Sequence, residues 1–493
     1  GSPFPGSFRV SHLRDRAGCH LTEENPLLLG LEADVSDIRT YFQVHAQEFE
    51  KDLCTLLSIP SVSTDAERKP DMQKCAQEVV RQLLQAGMAE ARIMPTGGHP
   101  AVFAVSKHRE GVPTVLVYGH YDVQPETPLE LWESPPFQPT VRGGKIYARG
   151  TTDDKGQFLI HLKAAQGLNA VHGQLPVNLK FILEGEEEIG SPNLPAFIEE
   201  HKDLLACDVL VISDTGMYAP GIPALLYGLR GLSYLEVEVK GADGDLHSGL
   251  FGGAVPNPAL ELCRILTALK GPDGRILVPG FYDKVRDLSP AEREEWAALP
   301  FDEEEFRRSV GCKGLSGEEG FTTLERRWAR PTLDVNGMLS GFTGEGVKTV
   351  LPGRAMAKVS CRLVPDQDPE EIARLVEQEI LRLAPDTVEV KVRYHHGGSP
   401  WMTEPTHPVL EAAGRAAEKA WGRAPVRIRE GGSIPIVSTF CRVLNVPAVL
   451  LGIGLADENA HAPNEHLDLG NFHAGIKASA YLMEELAAQA ATS

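Results

Sequence analysis

Four short apolar runs, Thr114–Tyr118, Val177–Leu183, Val209–Ile212 and Ala448–Leu451, restrict the architecture of this chain more than any other feature. Apolar residues at successive positions, instead of at every second one, suit strands buried on both faces. Helical patterns such as Gln157–Leu168 fall between some of these runs. The alternation predicts an α/β domain with a mostly parallel sheet covered by helices.

From about Gly231 the texture changes. "LSYLEVEVKG" alternates strictly, as a strand with one buried face does, and a helical segment follows at Asn257–Leu269. Later come "TLDVNGMLSG", "AMAKVSCRLVP", a helix at Pro369–Leu383 and "TVEVKVRYHH". This β-α-β-β-α-β order is ferredoxin-like, interrupted at about 272–328 by an acidic helical insertion. The insertion reads as a solvated decoration that could also shape a dimer or a pocket mouth. The resulting division is an N-terminal arm at 1–35, a parent α/β domain at 36–229 that resumes at 397–493, and an inserted α+β domain at 230–396.

A formal net charge of −20 makes nucleic acid and anionic membrane surfaces poor partners, and it suits cations. No apolar run approaches the roughly 18 residues of a membrane span. Eight cysteines without a C-x-x-C pair fit reduced thiols, and the N-terminal stretch has no secretory pattern; a cytoplasmic location is expected.

The polar groups at the strand ends carry the chemistry. In open α/β sheets ligands bind beyond the carboxyl ends of the strands. Such ends here carry His120 and Asp122, the segment "LEGEEEIGS", Asp214 in "SDTG", and His461 in "ENAHAPNEH", while "ARGTTDDKG" brings Asp153 and Asp154 to the head of a helix. Each has a plain structural account: a satisfied core histidine, a helix cap, a solvated acidic turn. Together they favour a metal site, because clustered buried carboxylates repel one another unless cations offset their charge. Imidazole and carboxylate without thiolate suit zinc, and also manganese or cobalt, better than calcium. Two histidines with three or more carboxylates exceed the ligands of one tetrahedral zinc, which favours two divalent ions sharing a bridging carboxylate and water.

"GHYDVQP", "RGTTDDKG", "EGEEEIGS", "VISDTG" and "DENAHAPNE" resemble, in order and spacing, the motifs of the co-catalytic zinc exopeptidase family of carnosine and cytosolic non-specific dipeptidases, aminoacylases, acetylornithine deacetylase, succinyl-diaminopimelate desuccinylase and carboxypeptidase G. The likeness runs from about residue 40 to the C-terminus and implies that 36–229 with 397–493 is the catalytic domain and 230–396 a lid or dimerisation domain; "GLRGLSY", "DLHSG" and "REGGSIP" look most like the dipeptidase branch. The resemblance implies that His120 and Asp214 bind one ion, Glu188 and His461 the other, and that Asp153 bridges them. It also implies Glu187 as general base, a cis peptide between Asp153 and Asp154, and a bystander role for Glu186. Asp122, on the same face of an extended chain as His120, can reach the ring's other nitrogen, the supporting role the family assigns it. Whether Glu187 and Glu188 point apart or converge depends on how tight their turn is.

By the same resemblance, His247 in "GDLHSG" stabilises the oxyanion from the partner subunit of a homodimer. Arg362 in "KVSCRLVP" binds the free carboxylate of the substrate, a task that suits a guanidinium fork. Thr349 and Ser433 fall where the family contacts that end of the substrate too. The expected activity is hydrolysis of the amide next to a C-terminal carboxylate in a small peptide. An N-acyl amino acid deacylase and an inactive metal-binding scaffold are the alternatives. Rival hydrolase signatures, H-E-x-x-H, G-x-S-x-G and a P-loop, are absent from the sequence.

Overall fold

The computed structural model describes residues 37–432 and 434–491; the N-terminal arm at 1–35 and Ser433 lie outside the described residues. The chain divides into two compact units, one of Gly1–Leu225, Pro408–Pro425 and Val446–Ser493, the other of Leu226–His407 and Val426–Asn445. Residues 397–407 and Val426–Asn445, read from sequence as part of the parent domain, thus group with the second unit. Within that unit Trp401 and Met402 pair with Leu229 and Gly228.

In the first unit the sheet runs Glu90–Met94, Ala101–Val105, Asn178–Glu184, Thr114–His120, Val209–Ile212, Ala448–Leu450. The last four are mutually parallel, and the first two add an antiparallel edge. Val209–Ile212 and Ala448–Leu450 are buried at every position, as their unbroken apolar runs predict. Gly156–His172 packs against Thr114–His120 on one side and the long helix Leu469–Ala490 on another. Surrounded in this way, it buries every residue from Gly156 to Ala165 and has no polar stripe. Two buried lysines here are compensated: Lys163 of the helix pairs with Asp52, and Lys155, just before it, donates to the carbonyls of Leu56 and Ile59 at 3.1 and 2.8 Å. No helix among the described residues is long and apolar enough to cross a membrane.

The second unit contains the expected ferredoxin-like arrangement. Its four strands lie in the order Thr332–Ser340, Arg354–Leu363, Gly231–Lys240, Glu389–Gly398, all antiparallel. Gly231–Lys240 alternates buried and half-buried residues without a break, the period of a strand with one covered face. Its Leu235, Val237 and Val239 join Ala357, Val359 and Cys361 and the inner faces of Pro258–Ala268 and Pro369–Leu383 in one core. Each large aliphatic side chain buried there contributes about 1.5–3 kcal/mol.

The insertion is more than a solvated decoration. Its helices Pro290–Ala297 and Thr323–Trp328 bring Trp296 and Trp328 edge to face at 5.1 Å, both buried. The Trp296 indole donates to the carbonyl of Arg427 at 3.1 Å, Glu295 pairs with Arg427, and Glu292 takes Arg429 and the Tyr227 hydroxyl. These contacts fasten the insertion to the strand Val426–Glu430.

Candidate metal centre

All five expected metal ligands belong to the first unit, most of them at the carboxyl ends of its parallel strands. His120 ends Thr114–His120, Asp214 lies two residues past Val209–Ile212, and Glu188 sits in the short turn Glu187–Ile189 beyond Asn178–Glu184. His461 lies in the loop after Ala448–Leu450. Asp153 comes from the turn Thr151–Lys155, whose Asp153–Asp154 peptide is cis. Gly119 permits this convergence: a Cβ there would lie 2.7 Å from both Asp154 Oδ2 and Phe158 Cβ.

Asp153 is the hub. Its Oδ1 lies 3.0 Å from His120 Nε2 and its Oδ2 lies 2.8 Å from His461 Nε2. Asp214 Oδ2 is 3.9 Å from the same nitrogen of His120, and Glu188 Oε2 is 3.2 Å from that of His461. Two groups of possible ligand atoms result, His120 with Asp153 and Asp214, and Asp153 with Glu188 and His461, each within 4.8 Å and sharing Asp153. His120 Nε2 and Glu188 Oε1 are buried without a hydrogen-bond partner among the described residues. Nitrogen and carboxylate donors left over in this way fit a pair of divalent cations.

The electrostatics fit as well. Burial pushes Asp214 well above the usual carboxylate range, and the charge of Asp153 adds to the effect. Glu187 is pushed up to about 7, by burial first; His120 pulls it down, while Asp153 and Glu188 push it further up. His461 is raised to about 10 by its hydrogen bonds to Asp153 and Glu188. His120 rises well above its ordinary value although burial opposes it, because the carboxylates of Asp122 and Asp153 face its two ring nitrogens. Asp153 falls, against the effect of burial, because it faces both imidazoles. Divalent cations offset the repulsion that protons must otherwise relieve.

Asp122 does more than orient a ring. Its carbonyl lies 3.0 Å and its Oδ1 3.3 Å from His120 Nδ1, while its two carboxylate oxygens accept the backbone N–H groups of Glu187 and Glu188 at 3.2 and 3.1 Å. The turn Glu187–Ile189 is therefore tight and tied to His120 through one side chain. Gln124 donates to Glu188 Oε2 at 2.8 Å.

Two further carboxylates at this centre, Glu458 and Glu465, were not singled out from sequence, and Asp154, named there beside Asp153, has a contact of its own. Glu465, fully buried, takes Arg149 Nη1 at 2.7 Å and the backbone N–H groups of Gly150, Thr152 and Asp153 at 2.8, 3.0 and 3.2 Å. Glu458 accepts the Thr152 hydroxyl at 2.6 Å, and Asp154 accepts the N–H of His120 at 3.1 Å. Glu458 and Glu465 flank His461 within the segment quoted for it, and that closeness was the available signal. Nor is Glu186 a bystander: it accepts the His99 N–H at 3.1 Å and the Asn193 amide at 2.8 Å, bracing the turn before Glu187.

The second unit holds His247, Thr349 and Arg362. Leu246–His247 pairs with Val350–Leu351 in a small ribbon, and Ser248 N donates to Thr349 O at 3.1 Å, so His247 and Thr349 are neighbours. His247 is exposed, its Nδ1 accepting the N–H of Gly249 at 3.0 Å. Arg362 lies in Arg354–Leu363, opposite Leu232 on one side and Thr332 on the other.

Two histidines and three carboxylates sharing one aspartate, at the carboxyl ends of a parallel sheet, define a dinuclear metallohydrolase. Comparison with known proteins makes the class specific: the model of peptidase family M20/M25/M40 matches residues 116–485, and the chain belongs to that family. The Cys-Gly metallodipeptidase of Schizosaccharomyces pombe is 36% identical over 456 residues, 89% of this chain and 96% of that protein. The human Beta-Ala-His dipeptidase is 36% identical over 379 residues, 76% of this chain and 75% of its own. Among solved structures, an M20 family metallo-carboxypeptidase of Sulfolobus solfataricus superposes with a TM-score of 0.78 at 33% identity, covering 90% of this chain and 99% of that one.

Proposed function

We propose that this protein is a metal-dependent dipeptidase that hydrolyses the amide bond next to a free C-terminal carboxylate. The observation that carries the reading is the split of Asp153, one oxygen toward His120 and the other toward His461. His120 and Asp214 would hold one ion, Glu188 and His461 the other, with Asp153 between them. Two divalent ions there supply Lewis acidity and bring the ionisation of water close to neutral pH. The donor set favours zinc, with manganese and cobalt as substitutes.

Glu187, held beside the ligand Glu188 by the Asp122 carboxylate, would accept a proton from the attacking water and return it to the departing amine nitrogen. Asp122 keeps His120 in one tautomer and Glu187 in register. Arg362 would take the substrate carboxylate, Thr349 and Ser433 would contact the same end of the substrate, and His247 would donate to the developing oxyanion. Dipeptidase activity in relatives that align along most of this chain favours this reading over an N-acyl amino acid deacylase or an inert scaffold.

We further propose a cytoplasmic homodimer in which His247 serves the partner's centre. The edge strand Thr332–Ser340 exposes Val335, Met338 and Leu339, and Leu250 and Phe251 are exposed just past His247. An apolar edge of this kind suits isologous pairing.

A panel of dipeptides and N-acetyl amino acids, given to chelator-stripped enzyme with zinc, manganese or cobalt restored, tests the activity. Dipeptide turnover that requires metal supports it; turnover of N-acetyl amino acids alone overturns it. Mixing H247A with E187Q chains tests the dimer, because only action across subunits regenerates one intact centre from two defective chains.

A further inference from the structure

We infer that Arg230 is a second cation of the substrate-carboxylate end, one that fixes the Gly431 turn and adds its charge to that of Arg362, so that the enzyme selects substrates ending in a free carboxylate. The inference rests on the dipeptidase reading and on the part given there to Arg362.

Arg230 stands immediately before the strand Gly231–Lys240. Its backbone N–H donates to Glu430 O at 3.1 Å, its Nε to Gly431 O at 3.2 Å and its Nη1 to Arg330 O at 3.4 Å. One residue thus grips the 430–431 turn through main chain and side chain together. The turn is shaped to admit it: a Cβ on Gly431 would come within 2.6 Å of Arg230 Nη2 and 2.8 Å of Arg327 O. Glycine at 431 is the condition for the guanidinium to lie there.

The register brings Arg362 to the same end of the sheet. Its cross-strand partners are Leu232, two residues beyond Arg230, and Thr332. Arg230, Lys270, Arg327, Thr332 and Asp334 line one cavity of about 570 Å³. Arg230 is depressed to about 10, by burial first and then by the like charges of Arg362 and Arg327, with Asp334 opposing. Arg326 and Arg330 line the same cavity, and against these cations stand Glu318, Glu319 and Asp334, so positive charge is in excess there within a chain whose net charge is −20. An arriving carboxylate relieves that repulsion; an amide of the same shape does not.

The experiment compares kcat/KM for a dipeptide and for its C-terminal amide on the metal-loaded enzyme, with R230M, R230K and R362M beside wild type. Wild type should prefer the free acid. In R230M that preference should shrink by about 10–100-fold, the worth of a hydrogen bond or close contact to a charged group, chiefly through KM and with the amide affected far less. R230K, which keeps the charge and loses the fork, should retain an intermediate preference, and it carries the test if R230M does not fold. Equal losses on acid and amide, or an unchanged ratio, would reduce Arg230 to a structural residue and overturn the inference. If R362M also leaves the ratio unchanged, the reading of Arg362 has failed, and the inference about Arg230 falls with it.

Discussion

Replacing Glu465 with glutamine tests how the bridging aspartate is held in place. One carboxylate oxygen takes Arg149 and Gly150 N, and the other takes Thr152 N and Asp153 N. Glutamine keeps the shape and one acceptor oxygen but turns an NH2 group toward two donors, and the buried Arg149 loses its counter-charge. Breaking a buried pair from one side costs about 3–5 kcal/mol. Two orphaned hydrogen bonds to a charged acceptor, at about 1.5–3 kcal/mol each, give a similar sum. Burial pushes Glu465 up to about 7 with Arg149 pulling the other way, so a measurement at about pH 8 keeps it ionised. Scanning calorimetry of the metal-free protein should find the first unit's transition lowered by roughly 10 °C in E465Q. Zinc should bind E465Q about 10–100-fold more weakly, as expected when a group supporting a ligand is lost. A variant within about 1 kcal/mol of wild type and with unchanged zinc affinity would refute the claim that Glu465 holds the Asp153 turn.

E187Q should lower kcat by about 10²–10⁴-fold with metal content unchanged, measured by steady-state kinetics beside elemental analysis. D122N, which loses its charge toward His120 and one acceptor for Glu187 and Glu188, should lower kcat/KM by about 10–150-fold at saturating metal. In the metal-free protein His461 is raised from 6.5 to about 10, so its attraction to Asp153 and Glu188 contributes stability fully present below pH 6.5 and lost as pH rises through 10. Denaturant unfolding in chelator should therefore show the gap between wild type and H461Q closing across that window.

Much of the fold was legible because the two kinds of strand carry different periods. Val209–Ile212 is apolar at every position and lies inside a parallel sheet, whereas Gly231–Lys240 alternates and covers one core. The candidate ligands were legible because several imidazoles and carboxylates at the ends of apolar runs are costly to bury together unless cations bind them. What stayed hidden depends on distant pairing. Glu465 meets backbone groups more than three hundred residues earlier in the chain, and its closeness to His461 in "HAPNEH" signals the neighbourhood but not those main-chain donors. The Trp296 anchor escaped for the same reason: Pro290–Ala297 carries four successive charged residues, and its one buried residue finds its partner on a strand far along the chain.

The central claim is that Asp153 divides its carboxylate between two metal ions. Zinc-loaded protein examined by elemental analysis and by anomalous diffraction at the zinc edge tests it most directly. The account predicts two ions per chain, one among His120, Asp153 and Asp214 and one among Asp153, Glu188 and His461, with D153N retaining at most one. A single ion in wild type, or two ions that remain fully bound in D153N, would contradict it.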